Sequence, residues 1–231
     1  MSVLSAWNGA GDMGSASGSR SAYHHGDLRN ALVAAAVELA SDGGPERVVL
    51  REVARRVGVS PTAAYRHFDG QGGLMYAVKV RGQEALAESM EDAAARVPAT
   101  WDPGVAAERR FTALGRGYVR FALRRPGLFR SAFCRIPGAE GEPRDWTEVP
   151  RADGEPRYRA LGLLTAALDE LVAHGRMPAH RRPAAEVTAW STVHGLSVLL
   201  MEGPLSRLPD EQSDAVLEHA LSTVLAGLAA P

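Results

Sequence analysis

Apolar residues recur along this chain three and four positions apart, and each run ends in glycine, proline or a polar turn. That pattern predicts an all-α fold. The first stripe is Leu28, Leu32, Ala35, Ala36 and Leu39, with Asp27 as the expected N-cap and Gly43, Gly44 and Pro45 as the stop. Leu50, Val53, Ala54 and Val57 make a second, shorter stripe. A third helix follows Ser60 and Pro61, and a fourth covers about 71–96 through Leu74, Val78, Ala85 and Met90. Gly70, Gly72 and Gly73 weaken its start, since each costs up to about 1 kcal/mol against Ala inside a helix. After a Pro-bearing loop at 97–104, helices are predicted over about 106–125, 127–135, 156–174, 185–202 and 214–229. Between them, 136–155 is dense in Pro, Gly and acidic residues and reads as a loop carrying Trp146, and 176–183 as a basic loop. Residues 1–19, rich in Gly, Ser and Ala, are expected to be disordered.

The stretch 50–68, LREVARRVGVSPTAAYRHF, carries the chemistry. Its first helix needs a partner surface for its apolar stripe. Gly58 ends it, and Ser60 with Pro61 at the first helical position starts the next. Ala64 and Phe68, one turn apart, can face the first helix, which leaves Thr62, Ala63, Tyr65, Arg66 and His67 outward. A short helix offering hydroxyls, an Arg and a His, buttressed by a second helix across a Gly turn, is a helix-turn-helix. The same spacing also suits an αα-hairpin inside a bundle, with Tyr65 and Arg66 on a solvated face.

Charge supports the first reading mildly. The net charge is −1, yet 20–68 holds seven arginines against five carboxylates, with His24, His25 and His67 besides. Arg20, just before the first helix, is either a minor-groove or phosphate contact or part of a solvated tail. The lone Cys134 excludes an intrachain disulfide and suits a reducing cytoplasm, where the protein is expected to reside. No zinc spacing, secretory signal or membrane-length apolar run occurs, so neither a metal, a cofactor nor a membrane partner is expected.

The stretch closely resembles the N-terminal domain of the tetracycline-repressor (TetR) family of transcriptional regulators. There a Gly-Val-Ser turn, here Gly58, Val59 and Ser60, precedes a recognition helix ending in Tyr-Arg-His-Phe, here Tyr65, Arg66, His67 and Phe68. The resemblance is strong over about 23–95 and weak beyond. It implies a disordered tail at 1–19, a three-helix DNA-binding domain at 20–69, and a helical bundle at 70–231 for ligand binding and dimerisation. It also implies a dimeric repressor on a pseudo-palindromic operator, released by a small-molecule effector. A dimeric DNA-binding module without an effector is the alternative. The DNA contacts, assigned partly by the resemblance and partly by the outward face, are Arg20, Arg51, Ser60, Thr62, Ala63, Tyr65, Arg66 and His67. Two positions leave the family's pattern. Val49 stands where Ser or Thr usually caps the second helix and touches phosphate, and Gln71 where Lys or Arg meets phosphate, so modest DNA affinity is expected.

The C-terminal part is less specific. The helix over 185–202 is apolar nearly all round and so is expected to be buried on two sides. It and the last helix resemble the pair that builds the family's four-helix dimer interface, through Val187, Leu199, Leu217, Leu221 and Leu225; alternatively they complete the monomer's own core. Trp190, His194 and Gly195 look like one TetR subfamily's Trp-His-Gly pattern, as do Tyr118, Phe121, Ala122 and Pro126. Gly195, costly in mid-helix, suggests close approach of another backbone or a ligand. Tyr118, Phe121, Phe129, Phe133, Trp190 and His194 are either core or the lining of an apolar effector pocket. Cys134 with His194 could form a nucleophile–base pair, but no strand–turn–helix elbow or phosphate loop accompanies them, so the chain is read as no enzyme.

Overall fold

A computed structural model describes residues 17–136 and 159–230, with only the backbone for 17–27. Nine α-helices and no strand occur among the described residues: α1 (Ser17–Gly43), α2 (Leu50–Val57), α3 (Pro61–Tyr65), α4 (Gly70–Ala95), α5 (Pro103–Arg124), α6 (Pro126–Phe133), α7 (Arg159–Ala173), α8 (Ala185–Met201) and α9 (Asp210–Ala229). The all-α expectation holds, with three differences in detail. α1 begins ten residues before Asp27, which is therefore not its cap, because the Ser- and Gly-rich lead carries no apolar period to announce a helix. α9 begins at Asp210, where Asp210 and Glu211 place negative charge on the positive end of the helix. The basic loop contains a 3-10 turn, Ala179–Arg181. Of the expected tail over 1–19, residues 1–16 lie outside the described residues and 17–19 form the first turn of α1, and the loop with Trp146 lies outside the described residues as well.

α1, α2 and α3 close over one small core. Leu32, Ala36 and Leu39 of α1 meet Leu50, Val53 and Ala54 of α2 and Ala64 of α3, all essentially without solvent exposure. α4 seals this core with Leu74 and Val78, then continues into the second bundle with Leu86 and Met90. There α5 lies against it with no room to spare. A Cβ on Gly117 would sit 2.6 Å from the Met90 Cα, and the Ser89 hydroxyl donates to the Gly117 carbonyl at 2.9 Å. α5 starts cleanly, because the Asp102 carboxylate accepts from the Gly104 and Val105 N–H groups at 2.8 and 3.1 Å ahead of Pro103 at the first position.

α6 joins the two parts of the molecule from the other side. Its Gly127 lies against the C-terminal carbonyls of α1, where a Cβ would come within 2.2 Å of the Ala40 oxygen. Arg130, one turn on, donates to the Gly43 carbonyl at 3.3 Å and so supplies a partner for the end of α1. A second, smaller core forms between α5, α8 and α9 from Val119, Leu196, Leu200, Leu217 and Leu221.

Gly127→Ala is expected to destabilise the fold by about 1–3 kcal/mol through overpacking against a backbone that cannot yield. Urea unfolding measures it, and an unchanged midpoint would mean that α6 and α1 do not approach this closely.

Candidate nucleic-acid interface and interior cavity

The turn between α2 and α3 is fixed at both ends. Gly58 takes the left-handed conformation (φ 79°, ψ 27°), its N–H bonds the Arg55 carbonyl at 3.2 Å, and the Val59 N–H reaches the Ala54 carbonyl at 2.9 Å. These are the two bonds of a Schellman motif, which leaves α2 stopped at a defined residue. Ser60, in extended backbone, then caps α3 by accepting from the Ala63 N–H at 3.2 Å. α3 is shorter than its sequence suggests: after Tyr65 the chain tightens into a turn, with the His67 N–H on the Ala64 carbonyl at 3.0 Å. Phe68 still buries, three residues past the helix, and the Arg29 guanidinium lies 5.2 Å from its ring centre.

Because Ala64 and Phe68 take the inner face, Thr62, Tyr65 and Arg66 are exposed, and Ala63 and His67 half-exposed. Arg51 on α2 and Ser60 at the turn are exposed as well. All seven sequence-assigned contact residues with described side chains thus border the α2–α3 pair; Arg20, in the backbone-only part of α1, falls outside them. Neighbouring arginines are held by carboxylates: Arg55 pairs Glu52 at 2.6 Å, and Arg56 reaches Glu38 at 3.4 Å and Asp42 at 3.8 Å. The hydrogen bond from Arg55 lowers the Glu52 pKa, so that pair stays charged at neutral pH.

The missing cap at Val49 is real, for that residue makes no side-chain cap bond. Its consequence is not the expected one. The Gln71 carboxamide accepts from the Leu50 N–H at 3.0 Å through Oε1 and donates to the Val48 carbonyl through Nε2. Gln71 is thus engaged with the protein's own backbone, a contact the sequence did not announce.

In the second bundle, Tyr118, Phe129, Phe133, Trp190 and His194 form a connected aromatic cluster with ring centres 4.9–6.3 Å apart. The Tyr118 hydroxyl lies 2.8 Å from His194 Nδ1. Burial raises the phenol pKa, against a smaller opposing hydrogen bond from Trp190, so Tyr118 keeps its proton. Desolvation lowers the His194 pKa, which favours the neutral imidazole. The Cys134 thiol points elsewhere, donating to the Ser131 carbonyl at 3.2 Å.

Beside this cluster lies a cavity of about 330 Å³ between α4, α6, α7 and α8, lined by Lys79, Gln83, Ala132, Phe133, Leu161, Glu186, Val187, Trp190 and Ser191. A void of about 30 Å³, bordered by Tyr118, Trp190 and Leu164, has room for little more than a water. Of the six residues expected to line a pocket, Phe133 and Trp190 face the larger space. Phe121 and Phe129 are core, closed in by tight helix crossings, and line neither space. Lys79 and Gln83 were missed by periodicity, because polar residues on α4 read as solvent-facing. The one signal was that Lys79 is the chain's only lysine.

The expected subunit face also divides. Val187 and Leu199 are 45% and 42% exposed, and Leu225 is half-buried. Leu217 and Leu221, at 2% and 3%, are corrected: they pack on Val119, Leu196 and Leu200 of their own chain and have no surface left for a partner. Gly195 is exposed with nothing of its own chain within 4 Å of a built Cβ, so no neighbouring element here explains it.

A folded pKa below the ordinary histidine value of about 6.5 means the unfolded chain takes up the proton first as pH falls. The stabilisation from neutral His194 is complete above about pH 6.5 and is lost as pH falls toward the folded pKa. Between about pH 7 and about pH 5, the thermal midpoint of the native protein should therefore fall more steeply than that of His194→Gln. Equal slopes would show that the ring is no harder to charge folded than unfolded.

Residues 32–78 match the family model for bacterial regulatory proteins of the tetR family, and residues 111–224 the tetracyclin repressor-like C-terminal domain. The uncharacterized HTH-type transcriptional regulator YobS of Bacillus subtilis (strain 168) is 29% identical over 105 residues, 46% of this chain and 51% of its own, so the chain spans about half the length of that curated relative. A solved protein of unknown function from Rhodococcus sp. RHA1 superposes with a TM-score of 0.67 at 27% identity, covering 90% of this chain and 98% of its own. A TetR family transcription regulator from Marinobacter aquaeolei VT8 shares the fold, with a TM-score of 0.57 at 19% identity over 88% of this chain and 97% of its own. With both domain models matched in order on a capped helix-turn-helix and a helical bundle, the chain belongs to the tetracycline-repressor family of transcriptional regulators, and its N-terminal helix-turn-helix is that family's DNA-binding domain.

Proposed function

We propose that this protein is a homodimeric repressor that binds a pseudo-palindromic operator and leaves it when a small molecule enters the cavity between α4, α6, α7 and α8. The observation that carries the reading is the outward face of α3, held rigid by the Schellman turn and the Ser60 cap. Thr62 and the Ala63 methyl suit a thymine methyl in the major groove, and Arg66 a guanine edge. Tyr65, His67, Arg51 and the Ser60 hydroxyl suit phosphates, as does Arg20 from the α1 lead. Residues 20–69 serve as the DNA-binding unit and 70–231 as the regulatory one, with α4 crossing between them. No helix among the described residues is long and apolar enough to cross a membrane, in keeping with a cytoplasmic regulator.

A second copy is expected on α8 and α9. Val187, Val198 and Leu199 expose apolar surface there, and Gly195 and Gly227 leave open space through which a partner's helix could approach. Paired this way, two α3 helices would meet successive major grooves about 34–36 Å apart. The cavity is at the small end of the range for organic ligands, about 300–1,000 Å³, and its walls mix Phe133 and Trp190 with a few polar groups. The closed core around Phe121 and Phe129 favours the second reading, a dimeric DNA-binding module without an effector.

Selecting binding sites from fragmented genomic DNA tests the operator. Arg66→Ala should relax preference at one position of each half-site by about 1–3 kcal/mol, and an unchanged selected motif would reassign Arg66 to phosphate. Leu199→Arg should give a monomer in sedimentation, since it sets an unpaired charge in an apolar contact; an intact dimer would move the interface elsewhere. Thermal shift against a compound panel separates a ligand sensor, which some compound should stabilise, from a plain module, which none should.

A further inference from the structure

α2 begins without a cap of its own. Val49 holds the N-cap position in extended backbone, φ −117° and ψ 124°, with no side-chain oxygen to offer the first N–H groups of the helix. The deficit is met from across the chain. Gln71, the second residue of α4, sets its carboxamide against the break between Val48 and Leu50, accepting from the Leu50 N–H at 3.0 Å and donating to the Val48 carbonyl. One planar side chain therefore satisfies both a donor and an acceptor of the α2 entrance. A lysine or arginine there could offer only donors, and the Leu50 N–H would gain nothing.

The turn of α4 that carries this amide is otherwise lightly held. Asp69, at its N-cap position, makes no side-chain cap bond, Gly70 is left-handed at φ 66°, and Gly72 and Gly73 follow. Further along, α4 is tied to the segment that closes the cavity. Gln83 donates to the Ala132 carbonyl at 3.0 Å, Lys79 to the Cys134 carbonyl at 3.2 Å, and Ile136 comes within 3.7 Å of a Cβ built on Gly72. Lys79 and Gln83 also line the cavity, together with Phe133 of that segment. The cavity wall and the Gln71 amide thus sit on one continuous helix, and a shift of its first turn must lengthen or break the bonds to Val48 and Leu50.

We propose that Gln71 is a positioning residue for DNA binding: it caps α2 in trans, and through this clamp the place of α4 sets the pose of the α2–α3 pair. The inference rests on the DNA-binding reading for its consequence, while the clamp itself is a property of the free protein. Val49 and Gln71 are then two halves of one arrangement, a cap lost in cis and regained from α4.

The test is a rescue series on the full-length protein: native, Gln71→Ala, Gln71→Glu, Val49→Thr, and Val49→Thr with Gln71→Ala. Exchange of the Leu50 amide, followed by NMR without DNA, reports the clamp. Affinity for the selected operator reports its effect. Gln71→Ala should speed Leu50 exchange and weaken operator binding by about tenfold, the scale of a lost helix cap. Gln71→Glu keeps the acceptor but not the donor and should fall between native and Ala. Adding Val49→Thr to Gln71→Ala should restore operator binding, because the threonine hydroxyl caps α2 from its own chain position through the Arg51 or Glu52 N–H, while Leu50 exchange stays fast because that amide is not the one it bonds. A side chain that merely contributed general stability would not be rescued by a cap 22 residues away. Unchanged Leu50 exchange in Gln71→Ala overturns the clamp, and failure of Val49→Thr to restore operator binding overturns its role in DNA binding. A native protein with a protected Leu50 amide that binds no operator overturns the DNA-binding reading and leaves the clamp standing.

Discussion

α4 belongs to two cores at once, and much of this molecule's behaviour depends on that. At 26 residues it is about 39 Å long, enough to cross from one bundle into the other as an unbroken rod. Leu74 and Val78 finish the core that α1, α2 and α3 cannot close alone, and Leu86 and Met90 enter the bundle formed with α5 and α7. Packed interiors resist small displacements, so a rod fixed in both cores makes the two ends report on each other. α6 reinforces this, with Gly127 set against the carbonyls of α1 and Arg130 bonded at its end. The two bundles are therefore mechanically joined.

The interior of the second bundle combines a closed part and an open part. The closed part is the aromatic cluster, where Tyr118 and His194 satisfy one another and Phe129 is fully enclosed. The open part is the cavity, where Phe133 and Trp190 turn one edge toward space and share the wall with Lys79, Gln83 and Glu186. Glu186 is itself held by Arg182 at 2.6 Å, so the cavity's charged groups are anchored rather than loose. A ligand entering there would meet a prepared surface on one side and a rigid core behind it. That division sets an open space beside a rigid core.

The helix-turn-helix could be read from the sequence because its determinants are local. Gly58, Ser60 and Pro61 act on their own backbone and on neighbours one to five residues away, so their order along the chain fixes α2, the turn and the start of α3. The outward set Thr62, Tyr65 and Arg66 followed from the same helical period that turned Ala64 inward. The helices of the second bundle were legible for the same reason, as the positions of α4, α5, α6 and α8 show to within a few residues. The start of α1 was not, because a Ser- and Gly-rich segment carries no period.

What only the tertiary structure decided is which partner each apolar or polar side chain meets. An apolar stripe states that a face is buried and leaves open against what, so Leu217 and Leu221 read like Leu199 until α5 and α8 take the first two and leave the third exposed. The same holds for the aromatics, where Phe121 and Phe133 share a composition signal but only one reaches the cavity. Gln71 shows it most directly. Set against the family's pattern, a glutamine at the head of this helix reads only as an absent phosphate contact. Its role as the cap of α2 exists only because folding brings it to a break in the chain more than twenty residues upstream, where an N–H and a carbonyl stand open together.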